Sequence, residues 1–234
     1  MDLSITTPPA TLPLTASDLD AHLRLNTTGE DTLLTAWITA AVDLWERSTG
    51  YTLLSTAYQL TLDWWPSHHP GHHAYGSPFF NNGFGYYSYP YAPYVFPGEW
   101  QLMPHEPKTL YLPRRPITGV TSIQYLDTNY TWQTLPQVNG TSVRWPNGWT
   151  LDDNRIVFPT SLPTLHPTAK PKIKIAFTAG HTGTGGDNPP ATALINIKLL
   201  VAHWWKNREA FGDKFTDLPM GWDAICQTYR GVRV

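Results

Sequence analysis

Amphipathic helical patterns at both ends of the 234-residue chain constrain its fold more than any other sequence feature. Between residues 31 and 48, at about 100° per residue, the apolar side chains gather on one half of a helical wheel. They are Leu33, Leu34, Trp37, Ile38, Ala41, Val42, Leu44 and Trp45. Residues 191–211 carry a second broad apolar arc. Because neither helix can bury its apolar side alone, we expect the two ends of the chain to pack against each other.

Capping and helix-stopping residues mark the ends of the predicted helices. Thr15 is a plausible N-cap for a short first helix, and Gly50 is a natural stop for the helix over 31–48. Asp187-Asn188-Pro189-Pro190 is a start signal for the third helix. A last short helix is expected over about 221–229.

Alternating apolar and polar side chains predict strands between the helical segments. The clearest run is Lys172 to Phe177, whose strict alternation predicts one buried face and one solvated face. The other short runs lie at about 53–62, 109–112, 120–126, 132–135 and 155–158. Pro, Gly and Asn residues separate the runs, so the middle of the chain is expected to form a small antiparallel sheet or barrel.

These patterns predict an α+β fold in which the N- and C-terminal helices form a helical core. A small antiparallel β insertion with a long aromatic-rich loop is expected to interrupt that core. The expected units are an extended arm (1–14), a discontinuous helical core (15–50 plus 189–231), a β insertion (53–180) containing an aromatic-rich segment (64–107), and an extended tail (232–234).

The third predicted helix is too apolar to face one core and then water. Ile195, Leu199 and Ala202 form a second apolar patch away from the main arc, so one face of this helix is expected to meet a neighbour. The candidates for the helical core or a subunit interface are Trp37, Trp45, Ile195, Leu199, Trp204 and Trp205.

The aromatic-rich segment is unusual in composition. Residues 64–98 are 35 consecutive positions without Asp, Glu, Lys or Arg, and 13 aromatic residues lie within 64–100. Rigid amphipathic rings beside Gly, Pro and Ser are typical of adaptable contact surfaces. The segment is either a loop that covers the β section, a binding loop for another protein, or a platform for stacking sugars. The candidate partner contacts are Phe79, Phe80, Tyr86, Tyr87, Tyr89, Tyr91, Tyr94 and Phe96.

Sequence patterns for catalysis, cofactors or metals are weak throughout. The His68–His73 tract is interpreted as a solvated loop, because no cysteine or nearby carboxylate completes a metal-ligand set. The Gly-rich stretch 182–186 lacks the full spacing of a phosphate-binding motif, and Asp152-Asp153 are typical of a turn. Cys226 has no histidine beside it in the last helix. We therefore predict no enzymatic activity, no cofactor and no metal.

The charge balance argues against a general nucleic-acid binder. The formal net charge is −2, from 16 Lys and Arg against 18 Asp and Glu, so there is no overall field to attract phosphates. No apolar run approaches the ~18 residues of a membrane span. The single cysteine and the absence of an apolar leader pattern favour synthesis in a reducing cytoplasm.

Several modest motifs occur in a recognisable order. The segment 14–25 is followed by Glu30-Asp31, and the helix that begins there closes on Glu46-Arg47-Ser48-Thr49-Gly50. Further motifs are Leu112-Pro113-Arg114-Arg115-Pro116-Ile117, Val120 to Tyr125, Phe177-Thr178-Ala179-Gly180, Leu199 to Trp204, Asn207 to Ala210, Leu218-Pro219 and Tyr229-Arg230. In this order, over 14–63 and 108–231, they resemble the head-tail connector (adaptor) proteins of long-tailed bacteriophages. The segment 64–107 departs from the family pattern.

The resemblance implies a structural virion protein at the head-tail interface, made in the host cytoplasm. It implies a homo-oligomeric ring, expected to be a dodecamer, beneath the portal protein and joined to a tail-side connector or tail terminator protein. DNA would pass through the ring only in transit. The alternative is a glycan-binding tail or surface module that uses the Tyr/Trp-rich segment.

The end of the chain is a candidate portal contact. Val232, Arg233 and Val234 have the β-branched alternation of a short strand, which could add to a sheet edge of the portal. A frayed terminus is the other interpretation, since terminal residues are poorly ordered unless tied down.

Overall fold

The computed structural model describes residues 1–24, 29–66, 108–138, 148–159, 161–207 and 221–230. These ranges contain four helices: α1 (Ala16–Leu23), α2 (Asp31–Thr49), α3 (Ala191–Lys206) and α4 (Trp222–Tyr229). They also contain eight strands: β1 (Asp2–Thr7), β2 (Thr56–Leu62), β3 (Thr109–Tyr111), β4 (Ile117–Leu126), β5 (Trp132–Thr134), β6 (Thr150–Asp152), β7 (Arg155–Val157) and β8 (Ile173–Ala179).

The first two helices begin and end on the residues that the sequence indicated. Thr15 Oγ1 accepts a hydrogen bond from the Asp18 N–H at 3.2 Å, and Asp18 Oδ2 accepts from the Thr15 N–H at 2.9 Å. This reciprocal capping box holds the pKa of Asp18 below its usual value, chiefly through the Thr15 backbone hydrogen bond. At the end of α2, Gly50 takes a left-handed conformation at φ 71°.

Two antiparallel sheets share one apolar core. The larger sheet has the order β1-β2-β8-β4-β5 and the smaller one β3-β7-β6. Along β2 and β8 the side chains alternate strictly between buried and partly exposed, and Leu60 lies opposite Ile175. Ile156 and Phe158, from β7 and the residue just beyond it, pack into the same core. We call this cluster the sheet core.

The four helices enclose a second apolar cluster, which we call the helical core. Its fully buried side chains include Leu34, Ile38 and Trp45 of α2. From the other end of the chain, α3 contributes Ile197 and Leu200, and α4 contributes Trp222 and Cys226. The N- and C-terminal helices therefore contact each other through these buried faces.

The predicted fold class, a helical core interrupted by a small β insertion, is wrong. Helix and strand contents are about equal, and the strands form two sheets with their own core. The sheet also begins before the first helix, because Asp2–Thr7 pairs with β2 and Leu3 lies opposite Leu60. The residues expected to form an extended arm thus supply an edge strand of the larger sheet.

A close crossing of loops ties the helical side of the molecule to the sheets. The Thr52 N–H donates to Arg115 O at 2.8 Å, and the Ser55 N–H donates to His181 O at 2.7 Å. Gly180 makes the second crossing possible: its φ is +102°, and a Cβ there would lie 2.4 Å from Leu54 O. The chain after α2 and the chain after β8 consequently run in direct contact.

Candidate functional site

The outward side of α3 carries exposed apolar side chains. Ile195 is 53% exposed and Leu199 is 40% exposed, although the opposite side of the same helix is buried in the helical core. The two residues are one helical turn apart, so they form a continuous apolar stripe. We call Ile195 and Leu199 the α3 stripe. Such a stripe loses contact with water only when another surface covers it.

A shallow apolar groove lies beside the α3 stripe, between α3 and α4. Its volume is about 590 Å³, and it begins at Thr192, one turn before Ile195. Its lining residues are Thr192, Ala224, Ile225, Thr228 and Tyr229. The α3 stripe and this groove together present a surface with a ridge and a recess, the kind of relief into which another helical surface can pack.

The predicted tryptophans lie on the inward side of the helices. Trp45 is fully buried and makes an edge-to-face contact with Trp222, with ring centroids 6.0 Å apart. Trp37 contacts Trp205 in the same manner at 5.7 Å. Trp37, Trp204 and Trp205 are partly buried against the helical core. Of the six interface candidates, these four tryptophans come together, whereas Ile195 and Leu199 lie outside.

A large cleft opens between the end of α2, the smaller sheet and the end of α4. Its volume is about 1370 Å³. Five arginines line it: Arg47, Arg114, Arg115, Arg155 and Arg230. Three carboxylates line it as well, from Glu46, Asp152 and Asp153. We call it the arginine-lined cleft.

Three of these arginines hold the ends of helices through backbone carbonyls. Arg114 Nη1 donates to Glu46 O at 2.6 Å and Arg230 Nε donates to Ser48 O at 3.0 Å, both near the end of α2. Arg115 Nη2 donates to Tyr229 O at the end of α4. A guanidinium at a helix C-terminus also meets the negative end of the helix dipole. Within the described ranges, none of the three forms an ion pair with a carboxylate.

Glu46 lies on the wall of this cleft and is partly buried. Burial raises the pKa of its carboxyl group above the usual value, and two interactions oppose that shift. One is the Leu53 N–H, which donates to Glu46 Oε1 at 3.1 Å, and the other is the positive charge of Arg114. Glu46 therefore links α2 to the start of the β section.

A hydrogen-bonded chain of Tyr51, His181 and Asp187 resembles a relay in outline. The Tyr51 hydroxyl lies 2.8 Å from His181 Nε2, and His181 Nδ1 lies 2.6 Å from Asp187 Oδ1. Burial raises the pKa of Tyr51, so its phenol is a poor nucleophile. Asp187 also accepts from the Thr182 N–H at 2.8 Å, inside the Gly-rich stretch considered above as a phosphate loop. The chain of contacts braces this loop against the end of α2.

The cysteine and the two adjacent aspartates considered as catalytic candidates occupy structural positions. Cys226 is buried in the helical core, and burial raises the pKa of its thiol to about 11, so the reactive thiolate is scarce. Asp152 pairs with Arg155 at 2.8 Å across the turn between β6 and β7, and Asp153 has a left-handed φ of 52° in that turn. Among the described residues, no group of three or more His, Cys, Asp or Glu could hold a metal ion.

Several predicted site residues lie outside the described ranges. They are the eight aromatic partner-contact candidates from Phe79 to Phe96, the His68–His73 tract, and the candidate portal contact Val232–Val234. The glycan-binding alternative depends on the same aromatic segment and stays a prediction. In the described part of the chain, no helix is both long and apolar enough to cross a bilayer.

Comparisons with known proteins find a similar fold in solved structures and no match by sequence. No protein-family profile matches the chain. No curated protein matches it either. The solved structures that match include three that cover the whole chain and 97% of their own chains. They are the neck of an empty GTA particle computed with C6 symmetry, the neck of a native GTA particle computed with C12 symmetry, and the virion of a native gene transfer agent (GTA) particle. Their identities are 20%, 20% and 21%, and their TM-scores are 0.65, 0.64 and 0.65. At this identity the likeness shows a shared fold.

Proposed function

We propose that this protein is a structural, non-enzymatic component of the neck of a phage-like particle. In this role it is a head-tail connector, or adaptor, which forms a homo-oligomeric ring between the portal protein and a tail-side connector or tail terminator protein. DNA passes through the ring in transit. The observation that carries the proposal is the likeness to GTA neck structures along the whole chain.

The symmetry of those neck structures supports a ring of twelve subunits. They were computed with C6 and with C12 symmetry, and a twelve-fold ring satisfies both. In a ring, each subunit meets its neighbours through two different surfaces, because head-to-tail contacts close by rotation. A subunit therefore needs an uncovered complementary surface on each side.

The α3 stripe supports the same proposal from the surface of the subunit. Ile195 and Leu199 face outward beside the groove between α3 and α4. Covering this surface with a neighbouring subunit removes apolar area from water, at roughly 25 cal/mol per Å². We assign the α3 stripe to the ring interface for this reason.

Two further contacts are proposed from the sequence alone. The aromatic segment projects from the ring and contacts a neighbouring subunit or a tail-side partner. Val232, Arg233 and Val234 add a strand to the portal.

Replacing residues 79–96 with a short Gly/Ser linker should impair ring formation or tail joining. Deleting residues 231–234 should weaken portal binding while leaving the melting temperature of the subunit near that of the unmodified protein.

Negative-stain imaging of the purified protein, alone and with its portal, tests the proposed function. The expected result is a ring with a central opening that stacks coaxially on the portal. A protein that stays monomeric at high concentration and does not bind the portal would contradict the proposal. Binding to a glycan array without ring formation would favour the glycan module instead.

A further inference from the structure

We infer that the arginine-lined cleft is a docking site for an extended acidic peptide of a partner protein, which adds a strand to the outer edge of β3. The cleft is lined by other residues than the α3 stripe, so its proposed partner is distinct from a neighbouring ring subunit. The outer edge of β3 and the arginines beside it would hold the peptide.

The first observation is that one edge of β3 lies in the cleft and pairs with no other described strand. In the described part of the chain, β3 pairs with β7 alone, and Thr109, Leu110 and Tyr111 all line the cleft. The Phe158 N–H donates to Lys108 O at 2.8 Å, and the Leu112 N–H donates to Asn154 O at 3.0 Å. In an antiparallel pair, alternate residues bond to the same neighbour.

The backbone groups of Thr109 and Tyr111 therefore point away from β7. Each contributes one N–H and one C=O to the outer edge, so the edge offers two donors and two acceptors to an added strand. The Tyr111 side chain is 47% exposed beside them. Peptides that add a strand to such an edge gain affinity from main-chain hydrogen bonds and selectivity from side chains.

The second observation is the charge along the cleft. Five arginines line it against three carboxylates, although the chain as a whole has a net charge of −2. Two of the arginines are already paired, Arg155 with Asp152 and Arg47 with Asp43, and the charge of Arg114 acts on Glu46. Arg115 and Arg230 bond to backbone carbonyls and form no ion pair within the described ranges. Guanidinium groups match carboxylates in planar, bidentate geometry, which favours an acidic ligand.

The mixture of groups favours a peptide over a nucleic acid. Asp152 and Asp153 also line the cleft, so its positive charge is interrupted there and does not form the continuous track that a phosphate backbone would follow. An extended peptide can place separate carboxylates at the arginines. It can also place apolar side chains against Leu3, Leu110 and Tyr111, which line the cleft as well.

Fluorescence anisotropy with the full-length protein tests this inference. The probe is a fluorescein-labelled, amidated hexapeptide of alternating glutamate and valine. A matched peptide with lysine in place of glutamate tests charge. Two further peptides, N-methylated on either alternate set of amides, test strand pairing. We expect the glutamate peptide to bind at least tenfold more tightly than the lysine peptide, and methylation of one set of amides to weaken binding at least tenfold.

Variants of the protein locate the binding to the cleft. Thr109→Pro removes an outward N–H without breaking a bond to β7, and Thr109→Val is its control because it keeps the N–H. Arg230→Gln removes an exposed cleft charge that forms no ion pair within the described ranges, and Lys206→Gln removes an exposed charge elsewhere. We expect Thr109→Pro and the arginine variant each to weaken binding at least tenfold, and both controls to bind within twofold of the unmodified protein.

Three outcomes would overturn the inference. One is the failure of either expected contrast, namely equal binding of the glutamate and lysine peptides or binding unaffected by Thr109→Pro in a variant whose melting temperature is unchanged. Another is displacement of the probe by a 20-base-pair DNA duplex whose own binding is weakened by the arginine variant. That result would assign the cleft to nucleic acid. The third is binding that occurs only after residues 79–96 are replaced by a Gly/Ser linker, which would assign the cleft to the chain's own segment.

Discussion

The helix α3 and the strand β8 are central elements of the two cores, and they differ in what they turn outward. Each buries one side, α3 in the helical core and β8 in the sheet core. The outward residues of β8 are Lys174, Ala176 and Thr178, which are polar or small. The outward residues of α3 include the exposed Ile195 and Leu199. The outward side of β8 is thus suited to contact with water, whereas the outward side of α3 is suited to contact with another protein.

This difference shows how burial and assembly can be separated within one subunit. Side chains of β8 alternate between two faces of the sheet, so the apolar ones are all buried on one face and the polar or small ones lie on the other. A helix with two apolar patches serves its own core and still has apolar surface for a neighbour. Breaking either core should lower the stability of the subunit, while changes on the α3 stripe should affect assembly alone.

The largest effect is expected from truncating the centre of the helical core. Trp45 is fully buried, and its ring contacts the rings of Trp222 and Tyr229. Trp45→Ala should therefore lower the free energy of unfolding by about 3–5 kcal/mol. Leu33→Ala, at a residue 39% exposed on the same helix, is the control and should cost less than about 1 kcal/mol. Urea denaturation measures both. Equal losses in the two variants would show that Trp45 is not a core residue.

The sheet core should show the same contrast between adjacent residues of β8. Ile175 is fully buried, so Ile175→Ala should cost about 2–5 kcal/mol. Lys174 points to the opposite face, where its Nζ lies 4.1 Å from the centroid of the Trp132 ring. Lys174→Ala should therefore cost about 1 kcal/mol at most. Thermal unfolding of both variants checks the contrast, and a larger loss for Lys174→Ala would reverse the assigned faces.

The smallest effect is expected where the two regions meet, at Glu46. Burial raises the pKa of its carboxyl group, so the folded protein favours the protonated form and loses stability as pH rises through that raised pKa. Glu46→Gln keeps an oxygen for the Leu53 N–H and removes the buried charge. It should raise the Tm at pH 7 by a few degrees at most, since about 1 kcal/mol corresponds to about 2–4 °C in a chain of this size.

The pH dependence provides the internal control for Glu46. The advantage of Glu46→Gln should disappear below the ordinary Glu value of 4.5, where the carboxyl group of the unmodified protein is protonated in both the folded and unfolded states. A variant that is less stable at pH 7 would mean that the attraction to Arg114 outweighs the cost of burial.

The parts of the fold that the sequence predicted correctly depend on local patterns. The helical periodicity of residues 31–48, the cap at Thr15 and the stop at Gly50 are each encoded within a few residues, and the structure confirms them. The strict alternation of residues 172–177 likewise corresponds to β8. Local patterns are informative because propensity, capping and periodicity act over one or two turns or a single strand.

The parts that were missed depend on contacts between distant residues. In β1, Leu3 and Ile5 alternate with polar residues, but the strand is short and its partner β2 begins at residue 56. The arginine-lined cleft was missed for the same reason. Its arginines come from α2, from the loop before β4, from β7 and from the end of α4, so no sequence window contains the cluster. Arg114 and Arg115 are the two arginines of the cleft that are adjacent in the sequence.

The proposed role of the α3 stripe in closing the ring can be tested by the mass of the assembly in two matched variants. Leu199 and Leu33 are 40% and 39% exposed, on α3 and α2, so aspartate at either position should leave the fold intact. Light scattering after size exclusion should give about 317 kDa, twelve times the 26.4-kDa chain, for the unmodified protein and for Leu33→Asp. Leu199→Asp should elute as a folded monomer. A Leu199→Asp protein that retains the full ring mass would show that the α3 stripe does not form the ring interface.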